Sequence, residues 1–224
     1  MKKRHFLHSP IVVLFLSLGF FTHRIFCQSL KANQTLDEKV KAFLETHQWS
    51  WRNANISAYD GKVLYDLIIK HQYKKALEIG TSTGHSGIWI AWALSKTGGK
   101  LITVEINEGR YREALAHFEE AGLSEYIDAR LADAHELVPK LEGPFDFVFC
   151  DADKGWYKNY LVAVLPKLEV GGCFAAHNVS GGRGRRRGGT GEFYEYVKSL
   201  PNMETTIDQS SRAGISISYK GAEK

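Results

Sequence analysis

The sequence predicts an α/β fold in which a doubly wound, mostly parallel sheet carries helices on both faces. Three observations lead there. From residue 76 onward, short apolar runs alternate with helical stretches of about 10 to 15 residues, the pattern of repeated β-α-β units. Polar residues and glycines recur just after five successive runs, and the carboxyl ends of strands are where open α/β sheets bind ligands. The composition is 44% hydrophobic, 12% aromatic and 24% charged over 224 residues, which suits one globular domain and excludes disordered, collagen-like and multi-span membrane chains.

The amino terminus reads as a targeting segment. Met1–Arg4 is basic, and Ile11–Phe21 (IVVLFLSLGFF) is an apolar run of 11 residues ended by Thr22-His23-Arg24. This is the layout of a secretory signal, and it is shorter than the roughly 20 residues a spanning helix needs. Residues 1–27 are therefore expected to be a signal peptide, cut near Cys27-Gln28, or an uncleaved membrane anchor. A buried helix of the fold is the remaining alternative. Export or membrane anchoring follows if the segment works, and a cytoplasmic location if it does not. Residues 28–224 form the expected folded domain.

Charge supports this division. Of 29 basic residues, Lys2, Lys3, Arg4 and Arg24 lie in residues 1–27, which contain no acid, so 28–224 carries 25 of each sign. A neutral domain gives no support for nucleic-acid binding. Three cysteines without a C-x-x-C pair suggest neither a disulfide scaffold nor a structural zinc site.

Within the domain, Asp37–His47 and Asp60–His71 have apolar positions at helical spacing. Strands are expected at Ala76–Ile79, Leu101–Ile106, Ile127–Leu131, Phe145–Cys150 and Cys173–Ala176, with helices near 86–95, 108–121, 134–141 and 156–168 between them. A helix at Glu192–Leu200 and late strands at Thr205–Asp208 and Ile215–Tyr219 complete the pattern. Gly181–Gly191 (GGRGRRRGGTG) reads as a loop by composition.

The strand tips hold the candidate site. After the first strand comes Glu78-Ile-Gly80-Thr-Ser-Thr-Gly84-His-Ser86, whose glycines let the backbone approach a ligand and whose helix start offers free N–H groups. The dinucleotide spacing G-x-G-x-x-G fails here, because its later places hold Ser82 and His85. The second strand ends in Glu105, an acid suited to ribose hydroxyls. The third ends in Ala132-Asp133-Ala134, the fourth in Asp151-Ala-Asp153-Lys154 and the fifth in His177-Asn178. A glycine turn beside an acid is commonly only a turn; five polar tips in succession are harder to assign to chance.

With these motifs in place the chain resembles the class I S-adenosylmethionine-dependent O-methyltransferases, in their catechol and caffeoyl-CoA branch. The likeness spans roughly residues 35–220 and is specific at ALEIGTSTGHS (76–86), FDFVFCDADKGWYKNY (145–160) and residues 168–178. It implies a seven-stranded, Rossmann-like sheet whose last strands form a reversed hairpin. It implies that Glu78, Gly80 and Ser86 line the methionine side of S-adenosylmethionine, with Gly84 in the tight turn. Glu105 would hold the ribose, Asp133 and Ala134 would flank the adenine, and Asp151 and Tyr160 would close the site. The implied activity is methyl transfer to a hydroxyl of a small aromatic, catechol-like acceptor, with Lys154 as general base. A divalent metal would sit on Asp151 and on an Asp-Asn pair after the fifth strand.

This sequence carries His177-Asn178 where that pair belongs. An imidazole in place of a carboxylate shifts preference from Mg²⁺ towards Mn, Fe, Co or Zn. A related branch has His-Asp there, so a metal-independent site is the alternative. A non-catalytic nucleotide-binding module that kept the fold is the alternative function. The partners expected are a small hydroxylated acceptor, the membrane only through residues 1–27, no nucleic acid, and a second copy of the chain as a candidate for a homodimer.

Other features read more plainly. Arg183, Arg185, Arg186 and Arg187 could grip a phosphate, but a solvated loop accounts for them. Trp49, Trp51, Trp89 and Trp92 are expected in packing, while Trp156 could flank an aromatic acceptor. If the tips of the fourth and fifth strands align, Cys150 and Cys173 are offset by three residues, about 10 Å. That exceeds the roughly 7 Å reach of a disulfide, so two buried free thiols are expected.

Overall fold

A computed structural model describes residues 34–51, 55–179 and 189–222. The expected signal segment and the Arg183–Arg187 loop lie outside these. Residues 40–224 form one unit and the residues up to Lys39 another. No helix of the described residues is long and apolar enough to cross a membrane.

Two helices come first, α1 (Leu36–Thr46) and α2 (Ala58–His71). The start of α2 is fixed by a capping box, in which Ser57 accepts from the Asp60 amide and the Asp60 carboxylate accepts from the Ser57 amide. The alternating part follows as β1 (Lys75–Ile79), α3 (His85–Thr97), β2 (Lys100–Glu105), α4 (Glu108–Ala121), β3 (Ile127–Leu131), α5 (Ala134–Leu137), β4 (Phe145–Cys150), α6 (Tyr157–Val164) and β5 (Leu168–His177). The chain closes with α7 (Gly189–Ser199), β6 (Met203–Asp208) and β7 (Ile215–Lys220).

The seven strands form one sheet in the order β3-β2-β1-β4-β5-β7-β6. Strands β1 to β5 run parallel, and β7 pairs antiparallel with both β5 and β6. The expected seven-stranded, doubly wound architecture with a reversed carboxyl-terminal strand is the one observed. Its centre is apolar on both faces because helices cover both. Leu77, Ile79 and Val148 pack with Tyr157, Leu161 and Phe193 on one side, while Phe147 and Phe149 pack with Leu64, Ile68 and Ile90 on the other. Each such side chain contributes about 1.5–3 kcal/mol by leaving water. Strand order reverses between β1 and β4, and the crevice beyond their carboxyl ends is where such sheets bind ligands.

Several boundaries shift by a few residues, and two of the shifts have a clear cause. The helix foreseen at 156–168 ends at Val164 and passes into a 3₁₀ turn, Leu165–Lys167, carrying Pro166. Strand β5 starts at Leu168 rather than Cys173. Its register against β4 jumps between the Phe145↔Leu168 and Phe147↔Cys173 pairs, and Gly171 in the jump has φ +83°. A glycine pair inside a strand marks a bulge, and it hides the strand from an apolar pattern.

The cysteine geometry follows the sequence argument. Cys150 pairs with Ala176 and Cys173 with Phe147, and both thiols are buried and free. Of the tryptophans, Trp92 is buried, and Trp51 stacks on His85 with ring centroids 4.3 Å apart. Trp49 departs from the packing expected of it, being 85% exposed.

Candidate active site

The tips of β1, β2, β4 and β5, with the turn after β3, open onto one cavity of about 520 Å³, a size that suits a small ligand. Gly80, Glu105, Asp133, Ala134, Asp151, Lys154, Tyr160, His177 and Asn178 all line it. Ser82, within the first-strand motif, lines it too, as do Asn55, Arg110 and His135, which no motif singled out.

Glu78, Gly84 and Ser86 are not among the residues that line the cavity. Glu78 is fully buried and accepts from Thr103 Oγ1 at 2.5 Å. Its Oε2 would lie 3.1 Å from a Cβ on Gly87, under the first turn of α3. Burial pushes its carboxyl up to about 7 against hydrogen bonds from Ser86 and Thr103. Ser86 is engaged there, and a side chain on Gly84 would meet Phe118 at 2.7 Å. Strand alternation accounts for Glu78, since its side chain leaves β1 on the face that α3 covers.

Glycine at position 80 is a requirement of the turn. Its φ is +98° and a Cβ would stand 2.6 Å from the Asp151 carbonyl oxygen, where the β1 and β4 tips close on each other. Next to it Ser82 has φ +50°. The Ser82 amide donates to Glu105 Oε2 at 2.8 Å and the Asn107 amide donates to Glu105 Oε1 at 2.9 Å. Two amides thus hold a 5% exposed carboxylate at the cavity edge, with oxygen lone pairs left for a diol. The buried Ser82 Oγ finds no partner among the described residues.

Beyond β3, Asp133 caps α5 by accepting from the His135 amide. The His135 ring stacks on Trp156 with centroids 3.9 Å apart, so Trp156 flanks His135 at this rim. A small polar cage with one fixed carboxylate, an unfilled hydroxyl and a glycine that admits no side chain fits the ribosyl and amino-acid parts of S-adenosylmethionine.

The far end of the cavity is a chain of charges. Lys154 Nζ pairs with Asp151 Oδ1 and donates to Tyr157 Oη at 2.8 Å. Asp151 Oδ2 faces His177 Nδ1 at 3.0 Å, and His177 Nε2 faces Asp60 Oδ2 at 3.3 Å. Burial opposes charge on His177, but hydrogen bonds to Asp151 and Asp60 outweigh it and raise the imidazole to about 9. Burial likewise opposes ionisation of Asp60, and hydrogen bonds from His177, Ser211 and Ser57 bring it down to about 2. Asn178 follows with φ +60°.

The expected metal set does not fit this arrangement. Both His177 nitrogens already face carboxylates, and both Asp151 oxygens are engaged by cationic or N–H partners. Among the described residues no group of three or more His, Cys, Asp or Glu has metal-holding geometry. Sequence reasoning missed Asp60, whose capping-box motif gives no sign that residue 177 lies against it.

Residues 28–217 match the model of a family described as O-methyltransferase. A catechol O-methyltransferase from Niastella koreensis is 37% identical over 56% of this chain and 58% of its own length. Caffeoyl-CoA O-methyltransferase 1 from Eucalyptus globulus is 33% identical over 63% of this chain and 59% of its own length. The chain thus spans less than two thirds of the curated relatives it matches. Among solved structures, an O-methyltransferase from Bacillus cereus in complex with SAH superposes with a TM-score of 0.65 at 26% identity, over 83% of this chain and 90% of that one. The O-methyltransferase TomG from Streptomyces achromogenes, in complex with SAM and involved in tomaymycin synthesis, gives 0.68 at 25% identity over 88% and 95%. The strand order, the cavity at its switch point and a family match over nearly the whole described sheet converge: the chain belongs to the O-methyltransferase family.

Proposed function

We propose that the protein moves the methyl group of S-adenosylmethionine to a hydroxyl of a small aromatic, catechol-like acceptor. The observation that carries the reading is a single cavity with a carboxylate, Glu105, at one end and the Lys154–Asp151 pair at the other. Glu105 holds the ribose, while Gly80 and Ser82 let the backbone approach the amino-acid part. Asp133, Ala134 and Tyr160 border the adenine. When bound, S-adenosylmethionine supplies an electrophilic methyl group on a sulfonium.

The chain's own residues have three tasks. In its deprotonated form Lys154 Nζ takes the acceptor's hydroxyl proton and so returns to the ammonium state in which Asp151 and Tyr157 Oη hold it, as general-base catalysis requires. That ammonium then lies beside the developing oxyanion. Fixed walls at Asn178 and Asp151 restrict the acceptor's approach, and such positioning supplies part of the rate.

Calorimetric titration with S-adenosylmethionine and its demethylated product, followed by methyl transfer to catechol, tests this. Micromolar binding with turnover is the expected result. Binding without turnover on any phenolic acceptor would favour a non-catalytic module, and absence of binding would overturn both. The reading includes export through residues 1–27, motivated by their basic start and 11-residue apolar run. Fractionation of cells carrying a carboxyl-terminal tag decides it, and full-length protein confined to the cytosol would contradict it.

A further inference from the structure

We infer that Asp60 is a positioning residue which, together with Asp151, clamps His177 across the acceptor end of the cavity, so that the site works without a divalent metal. The inference rests on the methyltransferase reading for its activity arm only.

Four observations carry it. First, Asp60 and His177 come from distant parts of the chain, 117 residues apart, and meet at 3.3 Å. Both are nearly inaccessible, at 2% and 6% exposure. A buried carboxylate is costly unless its oxygens are satisfied; Asp60 Oδ2 accepts from Ser57 Oγ at 2.8 Å as well as facing the imidazole, while Oδ1 finds no partner among the described residues.

Second, the imidazole has a carboxylate oxygen at each nitrogen, at 3.0 and 3.3 Å. Each nitrogen is thus already taken by a carboxylate, and a metal could reach the ring only by displacing Asp60 or Asp151.

Third, both Asp151 oxygens are engaged, Oδ1 by Lys154 Nζ and Oδ2 by His177 Nδ1. A divalent cation would have to break these contacts to gain a ligand and would meet repulsion from the Lys154 ammonium.

Fourth, Asp60 is anchored independently of His177. It sits in the first turn of α2, where the capping box fixes its backbone and side chain. The clamp is therefore built on a helix start, and rigid support is what a positioning group needs.

The test uses the full-length protein. Mn²⁺ titration followed by electron paramagnetic resonance should show no binding to the wild type in the micromolar range, and chelation should change turnover on catechol by less than about twofold. Long-range ¹H–¹⁵N spectra should show one fixed, hydrogen-bonded state of the His177 ring. Asp60→Asn should alter that ring signature and lower kcat at least tenfold with little change in the KM for S-adenosylmethionine, and Asp60→Glu should restore both in part. His177→Asp should create Mn²⁺ binding at least tenfold tighter than that of the wild type. Micromolar Mn²⁺ binding by the wild type, loss of turnover on chelation, or a His177 signature indifferent to Asp60→Asn would each overturn the inference. The Mn²⁺ titration and the wild-type spectrum need no variant to fold. A protein without methyl transfer would sink the function proposed above, while these two readouts would still decide the clamp.

Discussion

Replacing Glu105 by Gln probes the cofactor end at a single atom pair. The wild-type carboxylate accepts the Ser82 amide at 2.8 Å and the Asn107 amide at 2.9 Å. Gln keeps one acceptor oxygen and turns the other into an NH₂ that faces an N–H. One charge-assisted hydrogen bond is lost, at about 1.5–3 kcal/mol. For a chain of this size each kcal/mol lowers Tm by roughly 2–4 °C, so a fall of roughly 3–12 °C is expected. Binding of S-adenosylmethionine should weaken further, because the ribose diol loses an anionic acceptor. At 1.4 kcal/mol per tenfold, the same range gives about a ten- to hundredfold rise in Kd. Differential scanning calorimetry and isothermal titration read the two effects separately. A lower Tm with unchanged affinity would refute the ribose assignment and leave Glu105 as a clamp on the β1 turn alone.

Further expectations follow from the same geometry. Lys154→Ala should lower turnover by roughly 10²–10⁴ in steady-state assays with little change in cofactor Kd; equal loss of affinity would point to a structural role. Gly80→Ala must place a Cβ 2.6 Å from the Asp151 carbonyl at φ +98°, so both Tm and cofactor affinity should drop, and wild-type values would contradict the close approach. The His177 imidazole, raised to about 9 from an ordinary 6.5, stabilises the fold fully below pH 6.5 and progressively less as pH rises through 9. Asp60, lowered to about 2 from 3.8, stabilises it above pH 3.8 and loses that contribution as pH falls towards 2. The His177 share is about 3 kcal/mol, so melting temperature should fall between pH 6.5 and 9.5 in the wild type and much less in His177→Gln; parallel profiles would count against the ion pairs. Burial pushes the Cys173 thiol up to about 12 and raises Cys150 as well, so thiol reagents should label neither in the native state, and rapid labelling at pH 8 would disprove their burial.

How much of this was legible beforehand depends on the range of the interaction involved. Strands and helices were readable because apolar periodicity is a local property, and runs such as FDFVFC suit burial on both faces; the reversal of the last strands was implied by the family resemblance. The cavity wall was readable at Gly80, Glu105, Asp133, Asp151, Lys154, His177 and Asn178 because the carboxyl ends of parallel strands must converge. Glu78 lay in the same motif yet its side chain is buried away from the cavity, since the face a strand residue takes is set by which helix covers it. The start of β5 was hidden by Gly171-Gly172, where a bulge rather than an apolar alternation carries the strand. What tertiary structure alone decided was the meeting of Asp60 with His177. Residues 117 apart in the chain acquire a contact only when α2 packs across the end of β5, and that contact changes the histidine from a candidate ligand into an ion-paired cation. Sequence determines which groups are available at a strand tip; the electrostatic state of such a group is set by the neighbours that folding brings within about 3 Å, where Coulomb and hydrogen-bond energies in a buried site exceed anything local spacing can encode.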